Sequence, residues 1–245
     1  MNRHERRAAK ALSRTVEIDR VVAVHEAGHA VARVLTASDL GLSSEEAISH
    51  IELGIGNSMG KSKDGKMQLM SEAVTFGPRL SKDIAAAFKR IAAGVPPDQI
   101  DRQHITDAVS LVRSEGADIE KWLRAKMLIA VFGSAAEAKY TDKTIEDVWT
   151  SYAAEADRRD AFSEGVLAGL STSDIEVLIE DAIRRAKVLI EHPQIQSAIH
   201  ALADGLPNSG KLPGKRAVHI IAQVLFHKPI DPSDVSGKVR LLNEF

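Results

Sequence analysis

The chain of 245 residues contains no cysteine. Disulfides and cysteine-ligated zinc are thereby excluded, and the absence is neutral on compartment. Aromatic residues are scarce, at 4% against 44% for hydrophobic residues as a whole. A core of that size with so few rings favours packed helices over a β-sandwich. An excess of one charge is lacking too. The formal net charge is −2, which carries no general affinity for polyanions. No apolar run approaches the ~20 residues that span a bilayer; the longest covers residues 127–132. The first residues hold no apolar h-region, so no signal peptide is expected, and a soluble cytoplasmic protein is the default.

What the chain does have is a run at residues 21–32, Val-Val-Ala-Val-His-Glu-Ala-Gly-His-Ala-Val-Ala. Within it His25-Glu26-Ala27-Gly28-His29 is an H-E-x-x-H pattern on a helix-forming background. Residues four apart lie on one helix face, about 6 Å apart along the axis. His25 and His29 can therefore aim their rings at one metal ion, and Glu26 can take a proton from a metal-bound water. The bland alternative is a surface helix with two histidines and a solvated glutamate. The apolar flanks (Val21, Val22, Val24, Val31, Val34, Leu35) argue against it, because they predict a buried helix. Two histidines and a glutamate buried without partners are costly, and a metal with its water satisfies them. Gly28 is unfavourable inside a helix by about 1 kcal/mol. It shares the face of the two histidines, where a missing side chain lets another element or a substrate approach.

The rest of the chain reads as mainly α with a small β element within residues 49–76. A basic tail over residues 1–14 (Arg3, Arg6, Arg7, Lys10, Arg14) precedes one domain over 15–228 and a loosely ordered tail over 229–245. The tail reads as solvated, with a nucleic-acid contact as the lesser alternative. Helical periodicity begins near Thr15 or Glu17 and runs to about Ala37. Residues 38–46 are a polar break. Strands are expected at 49–54 and 67–76 with a Gly, Ser and Lys-rich loop at 54–65 between them. Further helices are expected at 81–95 with Ser81 as N-cap, 101–113, 117–140 with an interruption at Gly133, and 144–170. Three more follow at 174–190 with Ser173 as N-cap, 194–206 and 215–226. The stretch Gly54 to Ser62 imitates a phosphate-binding loop, but Gly54 precedes Gly60 by six positions where the motif needs five. It reads as a polar loop.

Residues 21–32 resemble the zinc peptidase domain of the FtsH-type ATP-dependent membrane proteases. Residues 130–137, Ala-Val-Phe-Gly-Ser-Ala-Ala-Glu, are similar to that family's Gly-x-Ala-Ala-Glu helix. Residues 155–161, Glu-Ala-Asp-Arg-Arg-Asp-Ala, are similar to its later segment, in which an Asp precedes an Ala by four positions. Residues 174–226 resemble its closing helices, with Ala182, Ala186, Leu189, His192, Ile199, Leu202 and Leu206, then Gly210, Leu212 and Gly214. The resemblance implies a metal held by His25, His29 and Asp157. Asp157 is preferred to Asp160 for its spacing to Ala161. Asp160 remains the alternative ligand or a partner of one, and Glu137 is an orienting residue or, alternatively, the third ligand. The family's membrane helices and ATPase module are not expected here, and residues 81–118 read as an insertion.

The expected function is zinc-dependent endopeptidase action on unfolded or flexible polypeptides, with Glu26 as general base. Its partners would be a polypeptide substrate and either a separate ATPase or further copies of the chain. The alternatives are a non-proteolytic zinc-binding adaptor or regulator and a nucleic-acid-associated protein using residues 1–14. An oxyanion helper is unassigned, with His50 and His104 as candidates. An edge strand around Ile51 or Leu69 is expected to align substrate by backbone pairing.

Overall fold

The computed structural model describes residues 20–61, 67–78, 80–96, 99–206 and 210–226. Both predicted tails, residues 1–14 and 229–245, lie outside them. The fold is mainly helical with a small antiparallel sheet. Among the described residues no helix is long and apolar enough to cross a membrane.

Helix α1 covers residues 20–35. All of residues 23–32 are buried, as the apolar flanks of the motif require. Short 3-10 turns at Ala37–Leu40 and Ser44–Glu46 follow, separated by Gly41 in the left-handed region at φ 66°. The chain then forms β1 (His50–Lys61) and β2 (Met67–Phe76). Residues 54–61 are thus strand rather than loop. The sequence hides this because glycine and polar residues are poor strand formers. Pairing with β2 carries the strand onward through a register shift between Ile55 and Met59. Such bulges absorb glycine-rich sequence.

The helices come next: α2 (Lys82–Ile91), α3 (Arg102–Ser114), α4 (Ile119–Thr141), α5 (Ile145–Trp149), α6 (Glu155–Leu167), α7 (Thr172–Ile190) and α8 (Pro193–Gly205). A third strand, β3 (Gly210–Pro213), leads into α9 (Gly214–Phe226). The strand order is β2-β1-β3, all neighbours antiparallel. β3 is four residues long, too short for alternation to declare it, and its existence rests on pairing with His50–Leu53. Because β1 is paired on both sides there, Ile51 lies on the middle strand. Of the two edge positions expected from sequence, only Leu69 on β2 is at an edge among the described residues.

Ser81 caps α2 by accepting from Ile84 N at 3.3 Å. α4 is unbroken at Gly133. It is buried on most of its circumference, including Trp122, Met127, Leu128, Val131 and Phe132, as befits the apolar run at its middle. Each such side chain removed from water contributes about 1.5–3 kcal/mol. α4 packs across α5, α6 and α7. Its buried Lys126 pairs with Glu164 of α6 at 3.2 Å.

The single helix expected over 144–170 is two helices. α5 ends at Trp149 and α6 starts at Glu155. Arg158 Nη1 reaches back to donate to the carbonyls of Trp149 and, at 2.8 Å, Ser151. A cation on exposed carbonyls at a helix end stabilises the break. The N-cap of α7 is Ser171 rather than Ser173. Ser171 and Asp174 complete a capping box, with Ser171 Oγ accepting from Asp174 N. The segment 81–118 forms a helical pair, α2 on α3, with α3 leaning on α6. Arg113 Nη2 donates to Ala168 O at 2.8 Å.

Candidate metal centre

α1 supplies His25, Glu26 and His29, and α4 crosses it at close range. A Cβ on Gly28 would come within 2.6 Å of Phe132 O and 2.7 Å of Ala136 Cβ. The element that the bare Gly28 face admits is therefore α4. Gly133 answers from the other side. A Cβ there would stand 2.4 Å from His29 Nε2 and 2.7 Å from His25 Nε2. The two imidazoles thus lie over a bare glycine, their centroids 4.8 Å apart and their planes at 73°.

Each ring is oriented through the nitrogen remote from the centre. His29 Nδ1–H donates to Ile129 O at 2.7 Å, and His25 Nδ1–H donates to Glu137 Oε2 at 3.0 Å. Both assign the proton to Nδ1 and turn Nε2 inward, the usual support for a metal-binding imidazole. Glu137 sits on the outer nitrogen of His25. It fits the orienting role and not that of third ligand.

α6 brings Asp157 to the same point. Its Oδ2 lies 3.0 Å from His25 Nε2 and 3.3 Å from His29 Nε2. Asp157 occupies the first turn of α6, where unpaired backbone N–H groups favour an anion. Asp160 is exposed and outside the cluster. His25, His29 and Asp157 are the group of potential metal ligands among the described residues, with their ligand atoms within 4.8 Å of one another.

Burial by itself would depress the His25 imidazole. Hydrogen bonds to Asp157 and Glu137 and the charges of Asp157 and Glu26 outweigh it and raise the group to about 10. His29 is raised in the same way, burial being outweighed by the charge and hydrogen bond of Asp157. Burial would lift the Asp157 carboxyl, yet the charge of His29 and the bonds to both histidines hold it well below the usual carboxylate range. Two inward imidazole nitrogens and a carboxylate oxygen need a cation between them. A proton or a metal ion meets that need, and the donor set N, N, O matches zinc.

The Glu26 carboxylate is buried beside the centre, and Thr75 of β2 contacts it: Oγ1 lies 2.8 Å from Oε2 and 2.9 Å from the Glu26 carbonyl. No sequence signal pointed to Thr75, because β2 reaches α1 only through the tertiary fold. His50 and His104 are engaged elsewhere. His50 stacks on Phe76 at 4.4 Å, and His104 Nδ1 sits 2.7 Å from Asp101 Oδ1 in the cap of α3.

Comparison with known proteins finds no match: no family model, no curated protein and no solved structure is significantly similar to this chain.

Proposed function

We propose that this protein is a zinc-dependent endopeptidase acting on unfolded or flexible polypeptides. The observation that carries the reading is the convergence of His25, His29 and Asp157 on one point, with the Glu26 carboxylate on the same helix. The likeness of residues 21–32, 130–137 and 155–161 to the FtsH-type peptidase domain supports the same chemistry. His25 Nε2, His29 Nε2 and an Asp157 oxygen would hold the ion, three protein ligands being the number found in catalytic zinc sites. Zinc bound there would supply Lewis acidity, lowering the pKa of a water toward roughly 7 and polarising a peptide carbonyl. Glu26 accepts the proton of the attacking water at a carboxylate oxygen and later delivers it to the leaving amine. Glu137 and the Ile129 carbonyl hold the two rings in position throughout. The outer edge of β2, unpaired among the described residues, offers backbone groups to an extended chain.

Metal analysis and casein cleavage by wild type and Glu26→Gln test this. Glu26→Gln keeps the size, the helix and the ligands but removes the proton acceptor. The expected result is about one zinc per chain in both proteins, with hydrolysis reduced at least about 100-fold in the variant. Equal cleavage by the two proteins would make the mechanism untenable. Zinc in both with cleavage by neither favours the adaptor reading.

A further inference from the structure

We propose that Thr75 is the positioning residue for Glu26, its hydroxyl fixing the general base and fastening the edge strand β2 to the metal-site helix. The role rests on the peptidase reading above, while the contact itself does not.

Glu26 and Thr75 are each 7% exposed. A buried carboxylate needs a hydrogen-bond donor. Among the described residues, the side chain found bonding to the Glu26 carboxylate is that of Thr75, at 2.8 Å. A threonine hydroxyl has one hydrogen to give. Two acceptors face it, the carboxylate Oε2 and the Glu26 backbone carbonyl. Carbonyls inside a helix already accept from the residue four positions on, and Glu26 lies mid-helix. A carboxylate is moreover the stronger acceptor. The hydrogen is therefore best placed on Oε2, which restricts the swing of a long side chain.

Register and sterics place the hydroxyl there. Thr75 pairs with Ile51, which pairs with Leu212, so one inward row crosses the sheet. Ile51 and Leu212 are core residues, and Thr75 alone of the three brings a polar atom to α1. A β-branched residue has few χ1 choices, so the hydroxyl direction follows from the strand. Just beyond β2 the chain is held to α1 again. A Cβ on Gly77 would come 2.7 Å from Arg33 Nη1 and 2.3 Å from Ala47 O. Arg33 Nη1 of α1 also lies 3.5 Å from Pro78 O, one residue further on. The Thr75 and Arg33 contacts thus link the helix of the base to the end of the strand edge.

The test compares the zinc-loaded full chain with Thr75→Val, which keeps the shape and loses the hydroxyl, and Thr75→Ser, which keeps the hydroxyl. Zinc content and helical circular dichroism should match wild type in both. In Thr75→Val, kcat on a flexible polypeptide should fall at least about tenfold, the scale of a lost bond to a charged group, with KM little changed. Thr75→Ser should stay within about threefold of wild type. A structure of each variant reads the Glu26 χ angles independently of turnover. The carboxylate should leave its wild-type position in Thr75→Val and keep it in Thr75→Ser. Thr75→Ala serves in the same way if Thr75→Val does not fold. An unchanged kcat with Glu26 in place in Thr75→Val overturns the proposal. So does an equal loss in Thr75→Val and Thr75→Ser, which would mark packing and not the hydroxyl. If wild type cleaves nothing, the peptidase reading falls, and the position of Glu26 in the variant structures alone decides the role of Thr75.

Discussion

Asp157 and Asp160 are three positions apart on one helix, and the fold treats them oppositely. Asp157 Oδ2 lies 3.0 and 3.3 Å from two buried imidazole nitrogens, while Asp160 is exposed. Removing an exposed carboxylate changes little, whereas removing the one oxygen that both histidines share leaves them facing each other alone. Asp157→Ala should therefore abolish stoichiometric zinc, and Asp160→Ala should retain it, as read by metal analysis after dialysis. The reverse result would reassign the third ligand. The histidines and Glu26 were legible at this scale because they are contiguous and helical spacing alone puts them together. Asp157 became a candidate only through the resemblance of its segment. Thr75 was not legible at all, since nothing in the sequence around it differs from an ordinary strand.

At the scale of elements the site is a crossing of α1 and α4 closed by the first turn of α6. The crossing works because Gly28 and Gly133 face each other's helices without side chains. Gly133→Ala is the sharpest probe of it. The added Cβ meets both imidazoles below 3 Å, although alanine is the better helix former by about 1 kcal/mol. Propensity and site geometry thus pull in opposite directions. We expect the α-helical content to be kept and zinc affinity to fall at least about tenfold, the range seen when metal-ligand support is disturbed. Affinity is measured by competition with a chelating dye. Wild-type affinity in Gly133→Ala would show that the rings have room to shift. The sequence shows Gly133 as a weak point in a helix, hence the expected interruption. The structure makes it the floor of the site. The break between α5 and α6 escaped the sequence for a related reason: Arg158 satisfies the freed carbonyls from seven and nine positions further on.

Across the whole molecule the candidate metal centre draws on segments far apart in the chain, and protonation should govern its filling. His25 is raised from 6.5 to about 10. In the metal-free chain its ion pairing therefore contributes stability fully below about 6.5 and loses it as pH rises toward 10. A metal ion must take the place of that proton. Between pH 7 and 9, zinc binding should release protons, and apparent affinity should climb with pH by up to about tenfold per unit for each proton expelled. Calorimetry in buffers of different ionisation heat reads the number directly. Binding enthalpy independent of buffer would contradict the coupled arrangement. Since a bound ion would join α1 to α6, chelation should also lower the melting temperature.

Local sequence is enough to dictate a mainly helical chain with a β element near residues 49–76, the ends of several helices, and a buried helix with two histidines on one face and a glutamate beside them. These are local properties: spacing of apolar residues, capping side chains and 3.6-residue periodicity all act over a few positions. Tertiary structure decided the third strand, the continuation of β1 through its glycines, the placing of Asp157 over Asp160, the turning of Glu137 onto the outer nitrogen of His25, and the contact of Thr75 with Glu26. The β1 continuation joins residues 6 to 18 positions apart across its hairpin; each of the others joins residues between 49 and 163 positions apart. At such separations loop closure and packing choose the partner, and no local pattern encodes the choice.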